Sequence, residues 1–228
     1  MIDRHGTWAS RVGLVGLALL LGVAVALVLL GLRSEPDDTT SASLAGSVAM
    51  EPPPEPLEDD ATYVRTTVLP SGELEVTHWI EASSVLLTLD LSVPAGPDGV
   101  VARDVRVVAD GHEAIGPERI TDGRGTYSFL AADSVLVTYR LGGALVRSTS
   151  APGRALVSMS SLEVSSRAAA ERATHEVSAP EVLSLACATP DEPAEPQPCG
   201  APDADGGWSV DLEDGSVRDR VLAQVTVG

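Results

Sequence analysis

Lysine is absent from the 228 residues, so every basic side chain is an arginine, and acids outnumber them to give a net charge of −18. Phosphate backbones need a basic face, so nucleic acid is not an expected partner. Aromatic residues are almost as scarce, with three Trp, three Tyr and one Phe. Carbohydrate sites on β-sheets usually stack sugars on exposed rings, and only Trp79 and Trp208 are candidates for that role. There are two cysteines, Cys187 and Cys199, and their spacing is too wide for a C-x-x-C redox centre. They bracket Ala188–Pro198, a loop with four prolines and three acids, and a disulfide between them is expected. Closing such a loop contributes roughly 3 kcal/mol by chain entropy.

The motifs of common chemistries are missing too. No serine lies in a G-x-S-x-G elbow, and Ser158-Met159-Ser160-Ser161 reads as strand alternation. No glycine-rich phosphate loop joins a strand to a helix. His78, His112 and His175 are scattered, without the close pair of a zinc site. His78 falls on the apolar face of its segment, as a core histidine would. Asp203 and Asp205 with Gly206-Gly207 resemble the start of a calcium loop, but the third acidic position and the closing glutamate are missing, so a turn explains them better. The expectation is a chain with no cofactor, no metal and no catalytic set.

What is present begins with an unbroken apolar run from Val12 to Leu32, followed directly by Arg33. At helical rise the run spans roughly 31 Å, enough for a bilayer core, and it is longer than the apolar centre of a cleaved signal peptide. Arg4 and Arg11 precede it, whereas Glu35, Asp37 and Asp38 follow soon after, a bias that keeps the amino end inside. Residues 12–32 therefore read as a transmembrane helix after a short cytoplasmic tail, 1–11. Ala18, Gly22 and Ala26 recur at every fourth position and form a possible helix-pairing face.

Residues 33–61 read as an acidic, proline-rich linker, with Glu51-Pro52-Pro53-Pro54-Glu55-Pro56 biased to extended polyproline geometry. A flexible stalk of this length reaches roughly 30 Å. A proline-recognition ligand is the sharper reading of the same segment.

From residue 62 the hydrophobic period becomes two. Leu74, Val76, His78 and Ile80 alternate with Glu73, Glu75, Thr77 and Trp79, and Pro70-Ser71-Gly72 supplies a hairpin turn back to 62–69. Trp79 lies opposite the apolar face, where exposure and packing under a loop are equally open readings. Val85, Leu87, Leu89 and Leu91 continue the inward pattern up to Pro94-Ala95-Gly96-Pro97. Further strands are expected over 101–109, 126–130, 134–141, 155–164, 181–186, 208–212 and 220–227. Arg167–His175, with four alanines, is the one soluble stretch that could be a short helix.

The expected fold is all-β, an immunoglobulin-like β-sandwich over 62–228 preceded by one N-terminal transmembrane helix. The expected role is a non-enzymatic extracytoplasmic domain that is anchored in the membrane by residues 12–32 and binds a protein or cell-wall partner. An accessory or sensor subunit of a membrane complex is the alternative, and an envelope enzyme the remote one.

Overall fold

The computed structural model describes residues 47–93, 99–121, 123–159, 162–165, 170–190, 192, 194–204 and 206–228. The expected transmembrane segment 12–32 with Ala18, Gly22 and Ala26, the turn 94–97, Ser160, Ser161 and Asp205 lie outside them. Among the described residues no helix is long and apolar enough to cross a membrane. Ser47–Gly228 forms one compact unit.

Among the described residues, fifteen strands build this unit. They are β1 (Ala61–Val68), β2 (Leu74–Ser92), β3 (Val101–Ala109), β4 (His112–Glu113), β5 (Arg119–Ile120), β6 (Arg124–Gly142), β7 (Leu145–Arg147) and β8 (Arg154–Ser158). Then come β9 (Glu163–Ser165), β10 (Arg172–Ser178), β11 (Glu181–Ala188), β12 (Gln197–Cys199), β13 (Ala201–Pro202), β14 (Trp208–Glu213) and β15 (Arg220–Thr226). A single 3-10 turn covers Asp214–Arg218.

The larger sheet has ten strands in the order β13-β14-β10-β1-β2-β6-β3-β4, with β5 on β3 and β9 on β2. The smaller has five, ordered β12-β11-β15-β8-β7. Val64, Val76, Leu89, Val107 and Val137 of the larger sheet share one core with Val157, Leu185, Ala223 and Val225 of the smaller. The two sheets thus bury their apolar faces against each other as a sandwich does.

The expected hairpin is present, with β1 antiparallel to β2 from Ala61↔Glu81 to Val68↔Leu74. The strands expected over 126–130 and 134–141 are one long strand, β6. The immunoglobulin-like layout is not what this unit shows. That layout places four strands against three and bridges the sheets with a disulfide. Here β1 pairs in parallel with β10, more than a hundred residues later, and widens the larger sheet to ten strands.

The helix expected over 167–175 is also corrected. Residues 166–169 lie outside the described set, but 172–175 belong to β10. Local alanine content favours helix only weakly. Ala173, His175 and Val177 alternate into the core between β1 and β14, and that burial decides the conformation.

Cys187 and Cys199 form the expected disulfide, with Cα atoms 5.7 Å apart. It joins β11 to the short β12 inside the smaller sheet, where Leu185↔Cys199 and Cys187↔Gln197 are paired. Replacing both cysteines by serine is expected to lower stability by about 2–4 kcal/mol in a urea titration, with the slope of the transition little changed.

Candidate functional site

β2 and β6 pair along their whole lengths, and the pairing is broken by two register shifts, between Glu81 and Leu86 and between Leu86 and Thr88. A one-residue slip in a strand moves every following side chain to the other face. Leu86 points inward opposite Ala132, both 2% exposed, and past the second shift the inward side chains are Leu89 and Leu91, which are fully buried. Val85 and Leu87, expected inside, are each 62% exposed. Ser83 and Ser84 stand exposed in the first interval, the even-numbered inward parity of Leu74–Ala82 still holds at Leu86, and it changes only after Leu86, which leaves Val85 and Leu87 outward and brings Leu89 inward.

Leu130 of β6 falls in the same interval as Leu87, between the Leu86–Ala132 and Thr88–Ser128 pairs, and is 73% exposed. Beside them lies Ile115, 82% exposed, whose N–H donates to Ser128 O and whose carbonyl accepts from Ser128 N–H, both at 2.9 Å. The loop carrying Ile115 is fixed from below. Any side chain at Gly116 would collide with the Tyr127 ring, since a Cβ there would sit 2.2 Å from ring carbon Cδ1. The Tyr127 hydroxyl donates to Pro117 O at 2.5 Å, and burial pushes this phenol up to about 12. Glycine is the residue that lets the loop lie flat on the ring.

Val85, Leu87, Ile115 and Leu130 thus stand exposed along the β2–β6 ribbon as an aliphatic strip, with Ile115 held by its two bonds to Ser128. Asp133 and Glu118 flank it, exposed and without an ion pair among the described residues, while Glu113 is held by Arg106 at 3.0 Å. The rim is acidic. The strip carries no nucleophile, general base or ligand set, and its chemistry is the burial of aliphatic surface. Fully burying one such side chain contributes about 1.5–3 kcal/mol, before association entropy is subtracted. An apolar depression, with Val146, Leu156, Ala186 and Leu222, lies on the outer face of the smaller sheet.

The residues singled out in the sequence fall elsewhere. Asp203 closes the turn between β13 and β14, its Oδ1 accepting from Gly207 N–H at 2.7 Å. His112 is exposed. His78 and His175 are buried in one cross-strand row, on either side of Val64. Desolvation, with the charge of His175 adding to it, pulls His78 down to about 3, and desolvation pulls His175 down to about 4. Both are therefore neutral core residues. Trp208 is half-buried against the core.

Of the two readings open for Trp79, exposed or packed under a loop, the second holds, with the residue 3% exposed. Residues 47–57, expected as free stalk, lie across the outer face of the larger sheet and cover it. Val48, Met50 and Leu57 pack on Tyr63, Trp79, Val108 and Leu136. The Trp79 indole Nε1–H donates to Glu51 O at 2.8 Å. Tyr63 meets Trp79 edge-on at 5.8 Å, and the Arg65 guanidinium lies over the indole at 5.6 Å from its centre. Tyr63 Oη donates to Glu176 at 2.6 Å, and burial together with this bond raises the phenol's pKa well above its ordinary value.

No known family profile matches this chain, and no curated protein sequence matches it. Among solved structures, an aminopeptidase N family protein from Idiomarina loihiensis is similar at a TM-score of 0.46 and 10% identity, over 72% of this chain and 29% of that one. Native leukotriene A4 hydrolase from Saccharomyces cerevisiae is similar at 0.40 and 11%, over 72% and 28%. An M1 zinc metallopeptidase from Deinococcus radiodurans is similar at 0.37 and 10%, over 72% and 41%. The chain spans less than half the length of each, and at this similarity they carry no argument about its activity.

Proposed function

We propose that this chain is a membrane-anchored, extracytoplasmic binding module that holds a protein or cell-envelope partner through the strip Val85–Leu87–Ile115–Leu130. The observation that carries the reading is the contrast between exposure and rigidity at Ile115. Two backbone hydrogen bonds and the Gly116–Tyr127 contact fix a large aliphatic side chain that is 82% exposed. Solvated loops do not need such support, whereas a preorganised contact surface does. The apolar run 12–32 supports anchoring with the amino end inside, and the Cys187–Cys199 disulfide suits an oxidising compartment. In this reading the two-sheet scaffold serves as immunoglobulin-like domains do, presenting a surface without performing a reaction.

The double variant Leu87→Ser, Leu130→Ser tests it. Both side chains are exposed, so each change should move stability by less than about 0.5 kcal/mol. The cross-linked adduct that the wild type forms on the cell surface should disappear in the variant. An adduct that persists, or a domain that unfolds, contradicts the assignment.

A further inference from the structure

Tyr63, Trp79, Leu136 and Val108 face one another across β1, β2, β6 and β3, through the pairs Tyr63↔Trp79, Trp79↔Leu136 and Val108↔Leu136. They make an apolar, partly aromatic platform on the outer face of the larger sheet. Its cover is a segment that cannot join a strand ladder, because Pro52, Pro53, Pro54 and Pro56 lack N–H donors. Only Pro53 of the four turns partly inward, and the others are exposed.

The contacts between platform and segment are of a defined kind. Aliphatic anchors at Val48, Met50 and Leu57 flank the prolines, and an indole N–H meets the carbonyl of the residue preceding them. The Glu51 and Glu55 carboxylates lie within electrostatic reach of Arg65 and Tyr63, respectively. An aromatic platform with an N–H aimed at a backbone carbonyl is the chemistry by which extended proline-rich segments are recognised, because their stiffness lowers the ordering cost.

The segment is also separable from the sheet. β1 starts at Ala61, and its start is held independently of Val48–Leu57. Ser83 N–H donates to Asp60 Oδ1 at 3.0 Å and Ser83 Oγ donates to Oδ2 at 2.6 Å. Lifting residues 48–57 breaks the Val48 N–H bond to Gly111 O at 2.7 Å and the Trp79 bond to Glu51 O, but no strand pair.

We propose that the Tyr63–Trp79–Leu136–Val108 platform is a recognition site for an acidic, proline-rich segment of a partner protein, occupied at rest by this chain's own residues 48–57. The covering segment competes at an effective concentration on the order of millimolar, so a partner's segment must bind well or arrive when the cover is lifted.

The test uses the full chain labelled with fluorotryptophan, with the Trp79 resonance assigned by Trp79→Phe. Val48→Asp with Met50→Asp should move the Trp79 signal toward its solvent-exposed position and leave Trp208 unmoved. A synthetic peptide of residues 46–58 should restore the Trp79 signal saturably, with half-saturation below about 1 mM, and a scrambled peptide should not. Loss of the Trp208 signal in the double variant would make the segment part of the cooperative core and overturn the proposal. An exposed Trp79 that ignores the peptide would overturn it as well. Dimers of the wild type in light scattering that vanish in the double variant would place the ligand on a second copy, against a separate partner.

Discussion

Lowering the pH from 7 to 5 should cost this domain about 4 kcal/mol of stability through two buried histidines, His78 and His175. Both have folded pKa values depressed to about 3 and about 4, below the ordinary histidine value near 6.5 that the unfolded chain has. The folded state thus binds fewer protons, so the stability present above about pH 6.5 is lost as the pH falls toward the folded values. No charge on the neighbouring strands offsets this. His78 stands between Val64 of β1 and Val137 of β6, and His175 between Val64 and Val210 of β14. The inward side chains of the smaller sheet, including Leu185, Val221 and Ala223, are apolar. The titratable group that acts on His78 is His175, and its effect has the same sign.

Neither nitrogen of the His78 ring has a protein hydrogen-bond partner, and Nδ1 of His175 has none either. His78→Leu should therefore raise stability at pH 7 by about 1 kcal/mol and remove roughly half of the acid sensitivity. Urea titrations of wild type and variant at pH 7, 6 and 5 check both statements. An unchanged stability between pH 7 and 5 would contradict the buried, neutral state of the pair.

Trp79→Ala should cost about 3–4 kcal/mol, as large buried aromatics do when truncated. The change removes the edge contact with Tyr63, the Arg65 guanidinium over the ring and the bond to Glu51 O. A surface tryptophan, the other open reading, would cost less than about 0.5 kcal/mol. Chemical denaturation therefore separates the two placements by several-fold.

That difference shows what a single chain of letters can and cannot reveal. The β1–β2 hairpin was legible because period-two alternation and Pro70-Ser71-Gly72 are local signals. So was the disulfide, because Cys187 and Cys199 are the only two cysteines and bracket a polar loop. The place of Trp79 stayed open between the surface and the underside of a loop because alternation reports which residues share a face, and says nothing of what lies on that face. Its cover comes from residues 48–57, whose prolines and acids are the usual marks of a free linker.

The candidate site was illegible for a related reason. Val85 and Leu87 were read with Leu89 and Leu91 as one inward row, and only pairing with β6 reveals that the inward parity set by Leu74, Val76 and Ile80 lasts to Leu86 and changes after it. Ser83 and Ser84 were the available hint, since two small polar residues interrupt the apolar alternation there. The strand character of 172–175 was hidden too, because it depends on a parallel partner more than a hundred residues earlier.

The central claim is that the strip on the β2–β6 ribbon is where a partner docks. Site-specific photo-cross-linking in living cells tests it most directly, with the cross-linker placed in turn at positions 87, 130 and 156. Leu156 is the control, an exposed apolar residue on the outer face of the smaller sheet. The account predicts one discrete adduct shared by positions 87 and 130 and missing at 156. Equal labelling at all three positions, or none at 87 and 130, would contradict it.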